Sequence, residues 1–316
     1  MGLAERILLG DIRAASRLMR DIDDGFSSAI PELKTLYPHT GRAYVIGITG
    51  PPGAGKSTLV DQITATYRQR GKRVGVVAID PTSPFTGGAI LGDRIRMNRH
   101  ADDDGVFIRS LATRGHLGGL SRSTGDVANV MDAMGMDVVI VETVGVGQDE
   151  VDIVQMAHTT VVVMVPGLGD DIQAIKAGIL EIGDLFVVNK ADRAEADRTV
   201  RELAVMLEMN RLADADWHPK VMKAEASRAV GIEELVDEIE AHRQFLFNSG
   251  KIRHFLEDKY ARIFMELLRE RLFQEVFRPI SANGRFRQIV DALVTRSVDP
   301  YSAVEELLAE RFTGAR

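Results

Sequence analysis

The chain has 316 residues, of which 45% are hydrophobic and 27% charged, a composition typical of a globular protein with a sizeable core. Its formal net charge of −7 argues against a nucleic-acid partner, which usually requires a basic patch. The absence of cysteine excludes disulfides, thiolate metal sites and cysteine nucleophiles. The N-terminus lacks the pattern of a signal peptide, and no apolar stretch approaches the roughly 20 residues that span a bilayer. We therefore expect a cytoplasmic protein without a membrane partner.

The first 40 residues have the apolar spacing of helices. Apolar side chains recur there at intervals of three and four, with charged residues between them. They are Leu3, Ile7 and Leu8, followed by Ile12, Ala15 and Met19. The pattern predicts an N-terminal helical extension over residues 1–40.

Short apolar runs separated by helical segments begin at Ala43. Continuous runs rich in Val and Ile are typical of strands buried on both faces of a parallel sheet. Alternation with helices indicates a doubly wound α/β domain with a mostly parallel sheet, which we place at residues 41–245. The six runs are Ala43–Thr49, Val74–Ile79, Val138–Val141, Thr160–Val165, Leu185–Val188 and Lys220–Met222.

The C-terminal part, residues 246–316, is predicted to be helical. Apolar residues from Lys251 to Phe277 recur at intervals of three and four, which indicates a long amphipathic helix with a wide apolar face. Further helices are predicted at Arg285–Thr295 and Tyr301–Phe312. From this pattern alone, the apolar face either packs on its own domain or forms a dimerisation arm.

The strongest motif is a glycine-rich loop between a predicted strand and a predicted helix. Glycines let backbone N–H groups converge on phosphate oxygens, and the helix N-terminus adds partial positive charge. Lys56 is expected to neutralise the β- and γ-phosphates, and the Ser57 hydroxyl to bind Mg²⁺. The predicted nucleotide contacts are Gly50, Pro51, Pro52, Gly53, Ala54, Gly55, Lys56, Ser57 and the following Thr58.

A second motif, Glu142-Thr143-Val144-Gly145, follows the strand Val138–Val141. A carboxylate at the end of a parallel strand beside a phosphate loop fits the usual location of ligand sites in such sheets. We expect Glu142 to reach Mg²⁺ directly or through water, and the Gly145 N–H to contact the γ-phosphate.

A third motif, Asn189-Lys190-Ala191-Asp192, follows the strand Leu185–Val188. The carboxylate of Asp192 can accept hydrogen bonds from guanine N1–H and the exocyclic amine, and adenine has no matching donors. Together with the two preceding motifs it predicts GTP and GDP as ligands.

Two further acids allow two interpretations. Asp80 follows the second predicted strand, and Asp93 lies in a stretch that contains Gly87, Gly88 and Gly92. Both residues suit a segment that moves with nucleotide state near Mg²⁺, whereas Asp80 also suits a helix cap. Their spacing alone does not decide between these roles.

Four stretches together resemble the MeaB/ArgK GTPases, the chaperones of adenosylcobalamin-dependent methylmalonyl-CoA mutase. The Glu142–Gln148 string is the most specific of them. The four stretches are Gly47–Thr58, Ala78–Ser83, Thr86–Asp93 and Val141–Gln148. The resemblance implies a P-loop NTPase fold with N-terminal and C-terminal helical extensions, of which the second is a dimerisation arm that makes a homodimer.

The resemblance also implies roles for particular residues. Mg²⁺ contacts are implied from Ser57, Asp80, Asp93 and Glu142, some of them through water. A third mobile switch is implied after Val165, with Lys176 as its leading residue, although Lys176 also suits an exposed helix lysine. That switch includes Gly169, Asp170, Asp171, Gln173 and Lys176. By analogy with other GTPases, Gln148 joins Lys56, Glu142 and Lys176 as a candidate catalytic residue that positions water.

One position departs from the family pattern. The loop after the last predicted strand usually carries Ser-Ala but has Glu225-Ala226 here. The Ala226 N–H is expected to reach guanine O6. The Glu225 carboxylate is expected either to repel that oxygen or to pair with Lys190, and guanine affinity is then weaker than usual.

The implied function is a GTPase whose slow turnover is raised by its partner, an adenosylcobalamin-dependent acyl-CoA mutase. The resemblance leaves open which mutase is served and whether a cobalamin adenosyltransferase also docks. A nickel-delivery GTPase is a weaker alternative, because the chain lacks cysteine and its seven histidines form no close pair. A kinase of amino-acid transport is another, and it would require an acceptor-protein site.

Overall fold

A computed structural model describes residues 1–80, 98–112, 119–143, 155–167, 182–209, 216–282 and 284–313. This part of the chain divides into two compact units, Met1–Phe255 and Leu256–Arg316.

The first unit is built on a seven-stranded sheet whose order is β3-β2-β4-β1-β5-β6-β7. Every described strand pair is parallel, which confirms the predicted α/β fold. The sequence missed β3, so the sheet has one strand more than the six apolar runs. The strands are β1 Tyr44–Thr49, β2 Val74–Asp80, β3 Val106–Ala112, β4 Val138–Glu142, β5 Thr159–Met164, β6 Leu185–Val188 and β7 Lys220–Lys223.

Helices cover both faces of this sheet. The described helices of the first unit are α1 Leu3–Leu8, α2 Ile12–Asp23, α3 Ala29–Leu36, α4 Lys56–Gln69, α5 Gly119–Ala133, α6 Ala196–Met209 and α7 Ile232–Asn248. One core cluster joins α1, α2, α3 and α5 to side chains of β1, β2 and β4. Apolar residues of α4 and α7 pack on the opposite face, and α6 packs on β5 and β6. Burial on both faces explains why most strands read as continuous apolar runs.

A buried carboxylate fixes the chain where it enters β1. Asp132 of α5 accepts hydrogen bonds from the backbone N–H groups of Gly41, Arg42 and Ala43, at 2.5, 3.1 and 3.0 Å respectively. The Asp132 residue is only 7% exposed, so these bonds are shielded from competing water. They hold the connection between the N-terminal helices and the sheet.

The position of β1 marks where a ligand is expected. This strand lies between β4 and β5. The chain runs from β1 to β2 on one side, and after β4 it crosses to β5 on the other side of β1. Such a reversal of strand order opens a crevice at the carboxyl ends of the strands. The loop after β1 begins at this crevice.

The second unit contains most of a long helix and two shorter ones. α8 spans Lys251–Ala282 and begins in the first unit, and α9 Arg285–Val294 and α10 Pro300–Thr313 follow it. Many apolar side chains of this unit are exposed, among them Phe264 at 63% and Phe273 at 62%. Within the described residues, no helix combines the length and apolarity that a membrane crossing needs.

Candidate functional site

The loop between β1 and α4 has a shape that requires glycine at two positions. Gly50 has φ of +137° and Gly55 has φ of +86°, backbone conformations that residues with a side chain rarely adopt. A Cβ at Gly50 would overlap the carbonyl oxygen of Val163, and one at Gly55 would lie 2.5 Å from Asn189 Nδ2. The loop therefore approaches β5 and the Asn189 side chain too closely for any other residue.

Lys56, the first residue of α4, turns back into this loop. Its Nζ donates hydrogen bonds to the carbonyl oxygens of Gly50 at 2.7 Å and Pro51 at 3.1 Å. The residue is 6% exposed, so its positive charge lies against the loop, next to a helix N-terminus that carries partial positive charge as well. This is the electrostatic arrangement of an anion site.

Ser57 and Glu142 meet beside the loop. The Ser57 hydroxyl donates a 2.7 Å hydrogen bond to Glu142 Oε1, and both residues are buried. Ala78 of β2 pairs with Glu142 of β4, and Asp80 lies two residues after Ala78. Because side chains two apart share a face of a sheet, Asp80 and Glu142 lie on the same face. Hydroxyl and carboxylate oxygens therefore converge at the end of β2 and β4.

The third motif is bonded directly to the loop. Asn189 Nδ2 donates to the Ala54 carbonyl oxygen at 2.8 Å, and Lys190 Nζ donates to the Gly53 carbonyl oxygen at 2.8 Å. Asn189 Oδ1 accepts from the Ala226 N–H at 3.1 Å. One buried amide thus connects the glycine-rich loop to the loop that follows β7.

Glu225 pairs with Arg228 and not with Lys190, while its expected effect on guanine O6 stays a prediction. Its Oε1 lies 3.0 Å from Arg228 Nε, whereas Lys190 is bonded to Gly53. The expected Lys190 pair is therefore wrong, because the nearer Arg228 holds the carboxylate in the same turn. The Ala226 N–H is donated to Asn189.

These elements enclose a pocket of about 250 Å³. Asp192 lies on its wall, which suits a base-binding acceptor, and Glu225 is not among the described residues that line it. The described lining residues are Gly55, Thr58, Asn189, Lys190, Asp192, Arg193, Ala226 and Ser227. The sequence analysis missed Arg193 and Ser227, which directly follow Asp192 and Ala226 and were detectable only as motif neighbours.

Several predicted site residues lie outside the described part of the chain. They are Asp93, Gly145, Gln148 and the predicted third switch with Gly169, Asp170, Asp171, Gln173 and Lys176. The structure brings together the loop, Lys56, Ser57, Glu142 and Asn189, and it places Asp192 and Ala226 on one pocket wall.

Comparisons with known proteins agree with this geometry. The family model described as Methylmalonyl Co-A mutase-associated GTPase MeaB matches residues 20–280. A protein of Pyrococcus abyssi that is named as a GTPase is 49% identical and covers 99% of this chain and 97% of its own length. The mouse protein named methylmalonic aciduria type A homolog, mitochondrial, is 31% identical over 83% of this chain and 64% of its own.

A solved structure has the same fold. The crystal structure named LAO/AO transport system kinase superposes with a TM-score of 0.73 at 24% identity, covering 99% of this chain and 97% of its own. The fold, the phosphate loop and the family match lead to one conclusion. The chain belongs to the MeaB/ArgK family of P-loop GTPases.

Proposed function

We propose that this protein is a Mg²⁺-dependent GTPase that serves an adenosylcobalamin-dependent acyl-CoA mutase. The proposal that the protein binds a guanine nucleotide rests on the Asn189 amide. This amide joins the phosphate loop, through Ala54, to the loop after β7, through Ala226. GTP or GDP would occupy the pocket with its base at Asp192 and its phosphates at Gly50–Ser57.

The proposed base specificity rests on Asp192. A carboxylate accepts the two donors on the guanine edge, and a site built for such bonds rejects bases that leave it unpaired. Asp192→Asn replaces one acceptor with a donor, so affinity for GDP is expected to fall by about a hundredfold while xanthosine diphosphate, which carries a carbonyl in place of the amine, binds better. Asp197→Asn, which lies outside the pocket and pairs with Lys223, is the control. Equal loss of both nucleotides in Asp192→Asn would contradict the assignment.

The donor set near the loop fits Mg²⁺. This ion prefers oxygen ligands and bridges substrate phosphates, and Ser57 and Glu142 already place a hydroxyl and a carboxylate together. We assign Ser57, Asp80, Asp93 and Glu142 to hold the ion, which would neutralise phosphate charge when bound. This site is tested by measuring the affinity for labelled GDP as Mg²⁺ is titrated. Substitution of Glu142 should remove the gain in GDP affinity that Mg²⁺ gives.

In the proposed reaction, side chains and backbone groups of this protein orient the attacking water and neutralise phosphate charge. Lys56, already buried in the loop, stabilises charge on the β- and γ-phosphates as the bond to the γ-phosphoryl group breaks. We assign Gln148 to orient the attacking water, Gly145 to contact the γ-phosphate and Lys176 to couple the site to the partner. The protein itself forms no covalent bond in this reaction, and its intrinsic rate of GTP hydrolysis is expected to be slow.

The mutase is proposed as partner because the matching family is described as methylmalonyl-CoA mutase-associated GTPases and the mouse relative is named as a methylmalonic aciduria type A homolog. A nucleotide shifts a protein between two states only through differential contacts with them. We infer that γ-phosphate and Mg²⁺ contacts select the state that binds the mutase and supports loading of adenosylcobalamin.

The test is GTP hydrolysis with and without purified candidate mutases, together with co-elution on a sizing column. Stimulated hydrolysis and a stable complex are expected with methylmalonyl-CoA mutase, and a cobalamin adenosyltransferase is examined in the same way. If no cobalamin mutase binds or stimulates, the chaperone role is rejected while the GTPase remains. Autophosphorylation without GTP turnover would instead support the kinase alternative.

We further propose that the second unit forms a homodimer. Its apolar side chains are widely exposed in the single chain, with Phe264 and Phe273 more than half accessible. Exposed apolar patches of this kind mark interaction surfaces, and a second copy would cover identical patches on both chains.

A further inference from the structure

Arg193 is placed on the wall of the nucleotide pocket by a fixed backbone. Its N–H donates to the Lys190 carbonyl oxygen at 3.1 Å, and its own carbonyl oxygen accepts from the Ala196 N–H at 3.1 Å. The first bond closes a turn in which Lys190 has φ of +57°. In the same turn, the Ala191 N–H donates to the Ala224 carbonyl oxygen directly after β7. The backbone of Arg193 is therefore held on both sides.

The Arg193 side chain, in contrast, is left to a ligand. It is exposed and lines the pocket. Within the described residues, its guanidinium group makes no hydrogen bond or ion pair. The two other cations of these loops are already engaged, since Lys190 is bonded to the Gly53 carbonyl oxygen and Arg228 is paired with Glu225.

The pocket offers polar groups to the edge of a base but little surface to its faces. Asp192 is the proposed acceptor for the guanine edge, and none of the described lining residues is aromatic. A purine ring has two π faces, and stacking on such a face contributes to binding whatever the base. Two lining side chains can supply a covering surface, namely the stem of Lys190 and the planar group of Arg193.

The stem of Lys190 has a fixed course beside the pocket. Because its Nζ is bonded to Gly53 at 2.8 Å, its methylene groups extend from the loop after β6 to the phosphate loop. A Cβ at Gly55 would lie 3.9 Å from Lys190 Cε, so the stem runs close along that loop. Such a stem presents apolar surface and can cover one face of the ring. The other face requires a second side chain.

We propose that Arg193 is a nucleotide-binding residue whose guanidinium plane stacks on one face of the guanine ring, while the stem of Lys190 lies on the other. This inference rests on the proposed function and adds to it a contact that does not read the guanine edge. A guanidinium group is planar, delocalised and more weakly hydrated than an ammonium group, so it stacks on a π face readily. Asp192 then selects the base, and Arg193 increases the affinity for it.

The test is displacement of fluorescent methylanthraniloyl-GDP from the full-length protein by unlabelled GDP, at low and at high salt. Arg193→Ala is expected to weaken GDP binding about fivefold, as for an exposed cation–π contact, and equally at both salt levels. Arg193→Tyr keeps a planar face without the charge and should bind GDP within about twofold of the wild type. Arg193→Lys keeps the charge without the plane and should lose as much as Arg193→Ala.

The matched control is Arg198→Ala, which removes the same charge from an exposed arginine of α6. Arg198 pairs with Glu202 and is not among the described residues that line the pocket, so GDP affinity should stay at the wild-type value.

The outcomes separate the inference from the proposed function. An unchanged affinity in Arg193→Ala overturns the stacking role. A loss in Arg193→Tyr equal to that in Arg193→Ala also overturns it, because Arg193 would then bond to the sugar or the phosphates. Wild-type affinity in Arg193→Lys, or a loss that vanishes at high salt, overturns it in favour of charge alone. A wild-type protein that binds no GDP overturns the proposed function itself.

Discussion

Asn189 shows how one side chain can organise a site. Its amide donates to Ala54 and accepts from Ala226, so both polar atoms are satisfied in a buried position. A buried amide that lost either partner would carry a desolvation penalty as well as the lost bond. The residue therefore holds two loops in register before any nucleotide arrives.

Gly55 and Gly53 allow steric overlap to be distinguished from backbone strain. Both have positive φ, but a Cβ at Gly53 meets nothing within 4 Å, whereas one at Gly55 meets Asn189 Nδ2 at 2.5 Å. Gly53→Ala should cost about 1–2 kcal/mol of unfolding free energy from strain alone. Gly55→Ala should also displace Asn189 and weaken GDP binding at least about tenfold more.

Fluorescence titration and urea unfolding of both variants measure these effects. Equal losses of GDP affinity in Gly53→Ala and Gly55→Ala would show that strain alone matters, and that the Asn189 contact does not.

Local motifs marked some of the residues that the structure brings together, but not others. Lys56, Ser57, Glu142 and Asn189 stand in short patterns whose chemistry is readable from the sequence, and the structure places them around one loop. An ion pair between Asp61 of α4 and Arg99 joins residues 38 apart, and no local pattern marks such a contact. The Glu225 carboxylate likewise pairs with its neighbour Arg228, which lies outside the Glu225-Ala226 motif.

At the scale of elements, β3 was missed for a physical reason. It lies at the edge of the sheet, and residues Val106–Ser110 are only partly buried. An edge strand needs fewer apolar residues than a central one, so Arg109 and Ser110 interrupt the run that periodicity would detect. The five central strands, and β7 at the opposite edge of the sheet, were predicted to within one residue at their ends.

The connection into β1 gives a prediction for an element boundary. Asp132→Ala removes the acceptor for three backbone N–H groups, of Gly41, Arg42 and Ala43. The bond to Ala43 is buried and the other two are partly buried. Because such donors are costly when they lose their partner, unfolding free energy should fall by about 2–4 kcal/mol. Urea unfolding measures it, with the exposed Asp102→Ala as the control. A change below about 0.5 kcal/mol would mean that water replaces the carboxylate.

For the whole molecule, the exposed apolar side chains of the second unit predict self-association. Phe264→Asp should weaken the dimer at least about tenfold, since a charge in an apolar interface is strongly unfavourable. Analytical ultracentrifugation over a concentration series measures this change. Phe26→Asp, at a similarly exposed phenylalanine of the first unit, should leave association unchanged. A wild-type chain that stays monomeric would reject the dimer.

Stability of the whole first unit should depend on pH through a buried histidine. His242 Nδ1 lies 2.8 Å from Thr159 Oγ1, and its side chain is 3% exposed. Burial lowers the pKa of His242 to about 4 from 6.5, so the unfolded chain binds this proton more readily. As pH falls from about 6.5 to 4, this group should reduce unfolding free energy by up to about 3 kcal/mol.

The neighbouring carboxyl group of Asp184 changes stability with pH in the opposite direction. Burial raises the pKa of Asp184 to about 7, so its contribution declines as pH rises from 3.8 toward 7. His242→Gln isolates the histidine: its urea-unfolding curve should lose the decline below pH 6.5, whereas the exposed His39→Gln should keep it. An unchanged slope in His242→Gln would contradict the prediction.

The bonds from Asn189 and Lys190 to the phosphate loop have a thermodynamic consequence. The carbonyl groups of Ala54 and Gly53 that they hold belong to the loop that cradles phosphate. Occupation of the base subsite should therefore favour the loop conformation that receives phosphate, and by reciprocity phosphate should tighten the base subsite. The two halves of a nucleotide would then share a coupling free energy. Guanosine and pyrophosphate should each bind far more weakly alone than in the presence of the other.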